Sequence, residues 1–281
     1  MKRYFVSNGE LKVHITEWGK ERNPVIFCLH GLGGTSLSFI EVAELLKDEF
    51  RIISVDAPGH GKTPPFETTE EYEMPAMAEW INSIMNILKI NKFYFLSHSW
   101  GSCVSLYYIH SFPEKVNGAI LIDGGYQTKR LRGISVEEEV SHYLIDFEDY
   151  IDTWDQFLKE AVYGAVSRRS SLLNLAGEDL ALEKDNKFYW HVRGITGAKI
   201  VKAMHKNETL DIYEELHLSN LVLLRATIPS EQNKYRDLTS NLFEQKTGGT
   251  VKLIPNATHM LHWDNPELVV DEIRRNWSLT L

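Results

Sequence analysis

The chain has 281 residues, of which 43% are hydrophobic, and it carries a formal net charge of −9. This length suffices for one large core, and the acidic balance excludes nucleic acid as a partner, because phosphate binding requires basic patches. The two cysteines, Cys28 and Cys103, lie in apolar segments and are expected to be core residues rather than a disulfide. The chain has no apolar leader and no apolar run approaching the ~20 residues of a membrane span, which predicts a cytoplasmic protein.

The first part of the chain predicts an edge hairpin followed by alternating strands and helices. Asn8-Gly9 between two strand-like runs is typical of a hairpin turn. Residues 24–30 form a continuous apolar run, which indicates a strand buried on both faces of a parallel sheet. In chain order, the predicted elements are strands 4–6, 11–18 and 24–30, helix 39–46, strand 51–56 and an amphipathic helix whose apolar repeat runs from Met77 to Leu88 and which Asn91 closes.

The apolar run 93–96 leads directly into the pentapeptide S-H-S-W-G, which is centred on Ser99. Apolar residues then recur at helical spacing until Pro113. This layout predicts a nucleophile elbow, in which a sharp strand–helix turn exposes a serine at its apex and directs free helix amides toward the reacting carbon. Ser97 stands where the usual G-x-S-x-G pattern has its first glycine.

Further apolar strands are predicted at residues 116–123, 221–226 and 251–255, and a final helix is capped by Asn265 with Pro266 in its first turn. Strands that alternate with helices predict an α/β protein with a doubly wound, mostly parallel sheet of the eight-stranded type and helices on both faces. Ligands of such sheets bind at the carboxyl ends of the strands.

The segment between Gly125 and about Leu210 shows no strand pattern. Its apolar and aromatic residues from Val136 to Phe157 follow helical spacing, and Ser135 with Glu138 forms a capping-box sequence. The sequence therefore predicts a helical cap, residues 126–210, inserted after the sixth strand of a core domain formed by residues 1–125 and 211–281. Its many acidic residues are expected on a solvated face.

A serine nucleophile requires a base, and the late segment A-T-H-M-L-H-W offers His259 and His262. We prefer His259, because it follows a strand end at the same sheet edge as Ser99. The oxyanion is expected to meet the amides of Trp100 and Leu32, with Gly33 as second choice for the latter. The loop that contains Leu32 and Gly33 lacks the G-x-G-x-x-G spacing and the P-loop lysine of a phosphate site.

The acid that orients the histidine has two candidates. Asp123 ends the strand that follows the Ser99 helix, and it is preferred. Glu231 follows strand 221–226, which has no aspartate near its end, and is the alternative.

These motifs together resemble the α/β-hydrolase fold proteins of the capped, serine-nucleophile type, which includes esterases and lipases. The resemblance rests on His30-Gly31, the Asp56-x-x-Gly59-x-Gly61 turn, the Ser99 elbow, and His259 seven residues before Pro266. It implies hydrolysis through an acyl-enzyme beneath a helical cap, with no cofactor and no metal. Members with an acid after the preceding strand support Asp123, and Ser99 argues against the aspartate nucleophile of dehalogenases and epoxide hydrolases.

The expected substrate is a small to medium, uncharged acyl compound such as a carboxylic ester, lactone or thioester. The residues expected around it are His30, Gly33, His98, Tyr126, Tyr143, Trp154, Trp190 and His262. Three alternative chemistries at the same site are acyl transfer, perhydrolysis and carbon–carbon bond hydrolysis. A further alternative is a member of the fold that binds a small molecule without turning it over. The protein is expected to be a monomer or a homodimer.

Overall fold

A computed structural model describes residues 1–9, 11–164 and 168–277. The strands are β1 Lys2–Asn8, β2 Leu11–Trp18, β3 Val25–Leu29, β4 Arg51–Val55, β5 Phe93–His98, β6 Val116–Ile122, β7 Tyr150–Ile151, β8 Ala181–Lys184, β9 Lys187–Trp190, β10 Leu221–Ala226 and β11 Thr250–Ile254. The α-helices are α1 Ile40–Leu46, α2 Met74–Leu88, α3 Trp100–Ser111, α4 Lys129–Arg132, α5 Val136–Asp146, α6 Trp154–Leu158, α7 Ser171–Leu180, α8 Gly194–Lys206, α9 Asn233–Thr247, α10 Leu261–Asp264 and α11 Pro266–Asn276.

Eight strands form the main sheet in the order β1-β2-β4-β3-β5-β6-β10-β11. The pairs from β4 to β11 are parallel, whereas β2 runs antiparallel to both β1 and β4. This confirms the predicted doubly wound, mostly parallel sheet. The carboxyl ends of β3, β5, β6 and β11 consequently meet along one edge.

The two faces of the sheet carry separate apolar layers, because successive strand residues point to opposite faces. In β3, Phe27 and Leu29 pack with α2 and α3, whereas Ile26 and Cys28 pack with α1 and α11. Both cysteines are buried and unpaired, and burial raises the pKa of the Cys103 thiol to about 11. Among the described residues, no helix is both long and apolar enough to cross a bilayer.

Two predicted boundaries are wrong. The amphipathic helix α2 begins earlier than predicted, at Met74, and after its last residue, Leu88, it is capped by Lys89 rather than closed by Asn91. Lys89 has a φ of 57° and its backbone N–H donates to the carbonyls of Met85 and Asn86, so the helix closes in a left-handed cap without a glycine.

The expectation of no strand between Gly125 and Leu210 is also wrong. Three short strands form a separate antiparallel sheet in the order β7-β9-β8, and the helical spacing from Val136 to Phe157 is broken by β7. Asp185 and Asn186 both have positive φ between β8 and β9, as a two-residue hairpin turn requires. The strands escaped notice because they are only two to four residues long and partly polar. The capping box of Ser135 and Glu138 is confirmed.

Candidate active site

Ser99 forms the turn between β5 and α3, with φ 53° and ψ −121°. A positive φ is strained for a residue with a side chain, and the surrounding packing must hold it. A Cβ on Gly101 would lie 2.5 Å from the carbonyl oxygens of Leu29 and His30, and one on Gly124 would lie 2.2 Å from the Ser99 carbonyl oxygen. Two glycines therefore let the neighbouring backbones press against the turn and keep the serine at its apex.

Ser97 occupies the first small position of the elbow, and its side chain is fully buried. Its Oγ lies 3.2 Å from the Ser102 Oγ and 3.0 Å from the Ser105 Oγ, both on α3. A buried hydroxyl is tolerated when it has hydrogen-bond partners. Serine fits here in place of glycine because the helix supplies two further hydroxyl groups.

The structure brings Ser99, His259 and Asp123 together at the carboxyl edge of the main sheet. His259 lies in the loop between β11 and α10, and its Nε2 is 2.9 Å from the Ser99 Oγ. Its Nδ1 is 2.8 Å from Asp123 Oδ2, at the end of β6. These contacts follow the order nucleophile, base and orienting acid.

Asp123 is fixed by several donors. The Tyr126 hydroxyl and the Ala226 N–H donate to its Oδ1 at 2.9 and 3.0 Å, and the Arg236 guanidinium lies 3.9 Å from its Oδ2. Burial raises the pKa of this carboxyl, but the contacts with His259, Ala226 and Arg236 outweigh burial and hold the pKa below its ordinary value. Asp123 is therefore ionised at neutral pH.

The alternative acid, Glu231, is exposed in the 3-10 turn Ser230–Gln232 after β10. The Nδ1 atom of His259, which an orienting acid would contact, already contacts Asp123. The geometry thus favours Asp123 over Glu231 for the orienting role.

The candidate oxyanion loop follows β3. The Gly33 N–H donates to His60 Nε2 at 3.2 Å, which engages the second-choice amide and leaves the Leu32 amide as the better candidate. Burial and the neighbouring His30 lower the pKa of His60 to about 3, so His60 is neutral and can accept this bond. Trp100 begins α3, where amides have no acceptor within the helix.

Three further histidines lie around the site but do not contact Ser99 or Asp123 in the way that His259 does. His30 accepts from the Ala57 N–H at 3.0 Å and donates to the Gly31 carbonyl at 2.8 Å, which fixes the start of the candidate oxyanion loop. His98 donates through Nε2 to the His259 carbonyl at 2.9 Å. His262 stacks on Phe39 and lies 4.6 Å from the His98 ring.

These three side chains are buried, and burial lowers the pKa of each below its ordinary value. For His262, burial and the nearby His259 lower the pKa to about 3. By contrast, 45% of the His259 side chain is exposed. His259 is therefore the histidine of this group that substrate and solvent can reach.

Two small cavities adjoin the elbow. One, of about 60 Å³, is lined by Ser99, Trp100, Asp123 and His259 together with Gln127, Thr128, Lys129 and Arg132. The other, of about 110 Å³, is lined by Gly33, His98, Leu32, Phe147, Leu180, Trp190, Met260 and Trp263, among others. Both are below the ~300–1,000 Å³ of drug-sized pockets, which suits a small substrate.

Of the residues expected around the substrate, Gly33, His98 and Trp190 line the 110 Å³ cavity, and Tyr143 lines a groove beside Glu138 and Glu139. Tyr126 is instead buried against Asp123, and Tyr143 packs beside Phe147 with ring centroids 5.5 Å apart. Trp154 stacks on Phe157 with ring centroids 5.8 Å apart.

Several site residues were not anticipated. Met260 and Trp263 follow His259 closely in the sequence, and this proximity to the candidate base could have marked them as lining residues. Leu180 and Arg132 lie within residues 126–210, and no local pattern marks them as lining residues.

A mostly parallel sheet with a serine at a strand–helix turn defines the α/β-hydrolase fold. The sequence profile described as the alpha/beta hydrolase fold matches residues 24–191, and the chain belongs to this family.

The chain is similar to a serine hydrolase-like protein of Homo sapiens, with 32% identity over 106 residues, which cover 38% of this chain and 52% of that protein. For the first curated relatives, the match spans from 34% to 52% of their length. Among solved structures, the thioesterase domain from the curacin biosynthetic pathway has a TM-score of 0.75 and 16% identity, and the match covers 97% of this chain and 98% of that domain. A solved structure described as that of a putative hydrolase from Rickettsia typhi has a TM-score of 0.78 and 15% identity over 99% of this chain and 100% of that one.

Proposed function

We propose that the protein is a serine hydrolase that cleaves a small to medium acyl substrate, a carboxylic ester, lactone or thioester, through an acyl-enzyme on Ser99. The observation that carries the proposal is the series Ser99 Oγ, His259 and Asp123, with contacts of 2.9 and 2.8 Å at the carboxyl edge of the sheet. The serine hydrolase-like relatives support the same reaction class over the part of the chain that they match.

In the first half-reaction, the Ser99 Oγ bonds to the substrate carbonyl carbon while His259 Nε2 accepts the hydroxyl proton. The carbonyl π electrons move to the oxygen, which the amides of Leu32 and Trp100 stabilise. The C=O bond then re-forms, the bond to the leaving group breaks, and the leaving group takes the proton from Nε2. Asp123 holds the imidazole in place and stabilises its cation.

In the second half-reaction, water gives a proton to His259 Nε2 as its oxygen bonds to the acyl carbon. The resulting intermediate collapses, the bond between Ser99 Oγ and the acyl carbon breaks, and Oγ takes the proton back. The products are a carboxylic acid and the free enzyme, so the cycle needs neither metal nor cofactor.

The proposal includes residues 126–210 as a cap over the acyl group and residues 1–125 and 211–281 as the core. Phe147, Leu180 and Trp190 from the insertion line the 110 Å³ cavity opposite the oxyanion loop. A water-excluding apolar wall there strengthens electrostatic stabilisation of the oxyanion. Cytoplasmic location and a monomeric or homodimeric state stay predictions.

The test compares the wild type with Ser99→Ala in hydrolysis of 4-nitrophenyl butyrate and in labelling by a fluorophosphonate probe. We expect labelling of the wild type alone and a loss of at least ~10³-fold in kcat/KM for the variant. Ser102→Ala, which removes a buried hydroxyl three residues away, is the matched control and should keep both. Equal hydrolysis by the Ser99 variant would refute the proposal. Saturable ligand binding without labelling would favour the non-catalytic alternative.

A further inference from the structure

The two cavities beside Ser99 differ in chemistry. The 110 Å³ cavity has mostly apolar walls, whereas the 60 Å³ cavity carries Gln127, Lys129 and Arg132 beyond the catalytic residues. In the proposed reaction the leaving group receives its proton from His259 Nε2. His259 and Ser99 both line the 60 Å³ cavity, so the leaving group belongs there and the acyl group in the apolar one.

Helix α4 supplies the cations of the 60 Å³ cavity. It carries Lys129, Arg130 and Arg132. The Lys129 ammonium is paired with the buried Glu139 carboxylate, and the Arg130 guanidinium binds Asp211 through both of its terminal nitrogens. Two of the three charges are therefore matched within the protein.

Arg132 is the third cation, and it forms no ion pair or side-chain hydrogen bond with the residues that the structure describes. It lines the 60 Å³ cavity and a neighbouring groove that contains Glu138 and Glu139. Both acids are already engaged, Glu138 in the capping box of α5 and Glu139 with Lys129 and His205. Arg132 is exposed, so its guanidinium is open to solvent and to a ligand of the cavity, with its donors uncommitted.

The backbone that carries Arg132 is held firmly. The buried Glu208 carboxylate accepts the N–H groups of Lys129 and Arg130 at 3.2 and 2.8 Å, and the Thr128 hydroxyl accepts the Leu131 N–H at 3.4 Å. A fixed backbone with an uncommitted guanidinium fork is suited to bind a planar anion through two parallel hydrogen bonds.

We infer that the leaving group of the natural substrate carries a carboxylate, and that Arg132 is the residue that selects for it. This inference rests on the proposed function and departs from the uncharged substrate expected from the sequence. The protein as a whole carries a net charge of −9, which repels anions at long range. A preference for an anionic substrate therefore requires a local cation at the site.

The test uses two butyrate esters of equal shape, 3-butyryloxybenzoate and 3-butyryloxybenzamide, whose leaving groups differ in charge. The wild type should hydrolyse the benzoate with a kcat/KM about fivefold above that for the benzamide, mainly through KM, because a remote contact binds ground and transition states alike. Arg132→Gln should bring this ratio to about one, and Arg132→Glu below one. The wild-type preference should also shrink in ~0.5 M salt.

Arg130→Gln is the matched control, since it removes the same charge from the same helix turn but from a residue bound to Asp211. It should keep the wild-type ratio. A wild-type ratio of one, or an equal fall in the Arg130 and Arg132 variants, would overturn the inference while leaving the proposed function intact. Hydrolysis of neither ester above the Ser99→Ala level would instead count against the proposed function.

Discussion

The carboxyl edge of the main sheet and the proposed insertion, residues 126–210, line the same cavities but are built differently. At the sheet edge, Asp123, His98 and His30 are buried and each has defined hydrogen-bond partners. In the insertion, partly exposed aromatic residues and ion pairs such as Arg193 with Glu148 hold short elements together.

The difference suggests a division of labour. Groups that stabilise a transition state must be preorganised, and buried residues with defined hydrogen-bond partners, such as Asp123, suit that role. Residues that select a substrate need only shape the cavity, which short, partly exposed elements can do. Changes at the sheet edge should therefore alter kcat or folding, whereas changes in the insertion should alter the choice of substrate.

The largest effect is expected for Asp123→Asn, which removes the charge that stabilises the His259 cation. We expect kcat for 4-nitrophenyl butyrate to fall by about 10⁴-fold, as in the serine-protease triad, with the variant still folded. Glu231→Gln is the control and should stay within about twofold of the wild type. Comparable losses in the two variants would show that Asp123 does not orient the base.

The second prediction concerns stability at the sheet edge. His262 is buried with a pKa lowered to about 3 from an ordinary value of 6.5, and neither ring nitrogen has a hydrogen-bond partner in the described part of the chain. The unfolded chain binds a proton below pH ~6.5 but the native state does not, so this residue costs stability as the pH falls from ~6.5 toward 3.

His262→Phe should remove that cost and preserve the stacking on Phe39. The free energy of unfolding of the variant, minus that of the wild type, should rise by about 2 kcal/mol when the pH is lowered from 7.5 to 5. Urea unfolding at the two pH values measures this change. Parallel loss of stability in both proteins would mean that His262 titrates alike in the folded and unfolded states.

The smallest of these effects is expected in the insertion. Trp190→Ala should lengthen the apolar cavity and raise the ratio of kcat/KM for octanoate over butyrate 4-nitrophenyl esters by about tenfold. Trp154→Ala removes an equal side chain that lines neither cavity, and its ratio should match the wild type. A Trp190 variant that loses activity on both esters equally would contradict the division of labour.

The sheet was predictable because its inner strands are buried on both faces and are therefore continuous apolar runs. The approach of Ser99, His259 and Asp123 could be predicted from topology, since each residue follows a strand whose carboxyl end reaches the same edge. The hydrogen-bond partners of Asp123 were harder to predict from the sequence, because the aromatic side chain of Tyr126 was equally compatible with a pocket wall.

The insertion was harder to predict because its strands are too short to show a period of two. Within it, the residues that line the 110 Å³ cavity come from α7, β9, the end of α5 and Ala161, and tertiary packing alone brings them together. In this part of the chain only local sequence patterns predicted structure correctly, as with the capping box of Ser135 and Glu138.

The hydroxyl cluster beneath the elbow has a consequence for recognising related proteins. The Ser97 hydroxyl forms hydrogen bonds with the serines five and eight residues later, so the three serines form one cluster that can be recognised in the sequence. A search pattern that demands glycine at the first elbow position would overlook such chains. One that accepts serine there, provided that hydroxyl residues recur at those two intervals, would retrieve them.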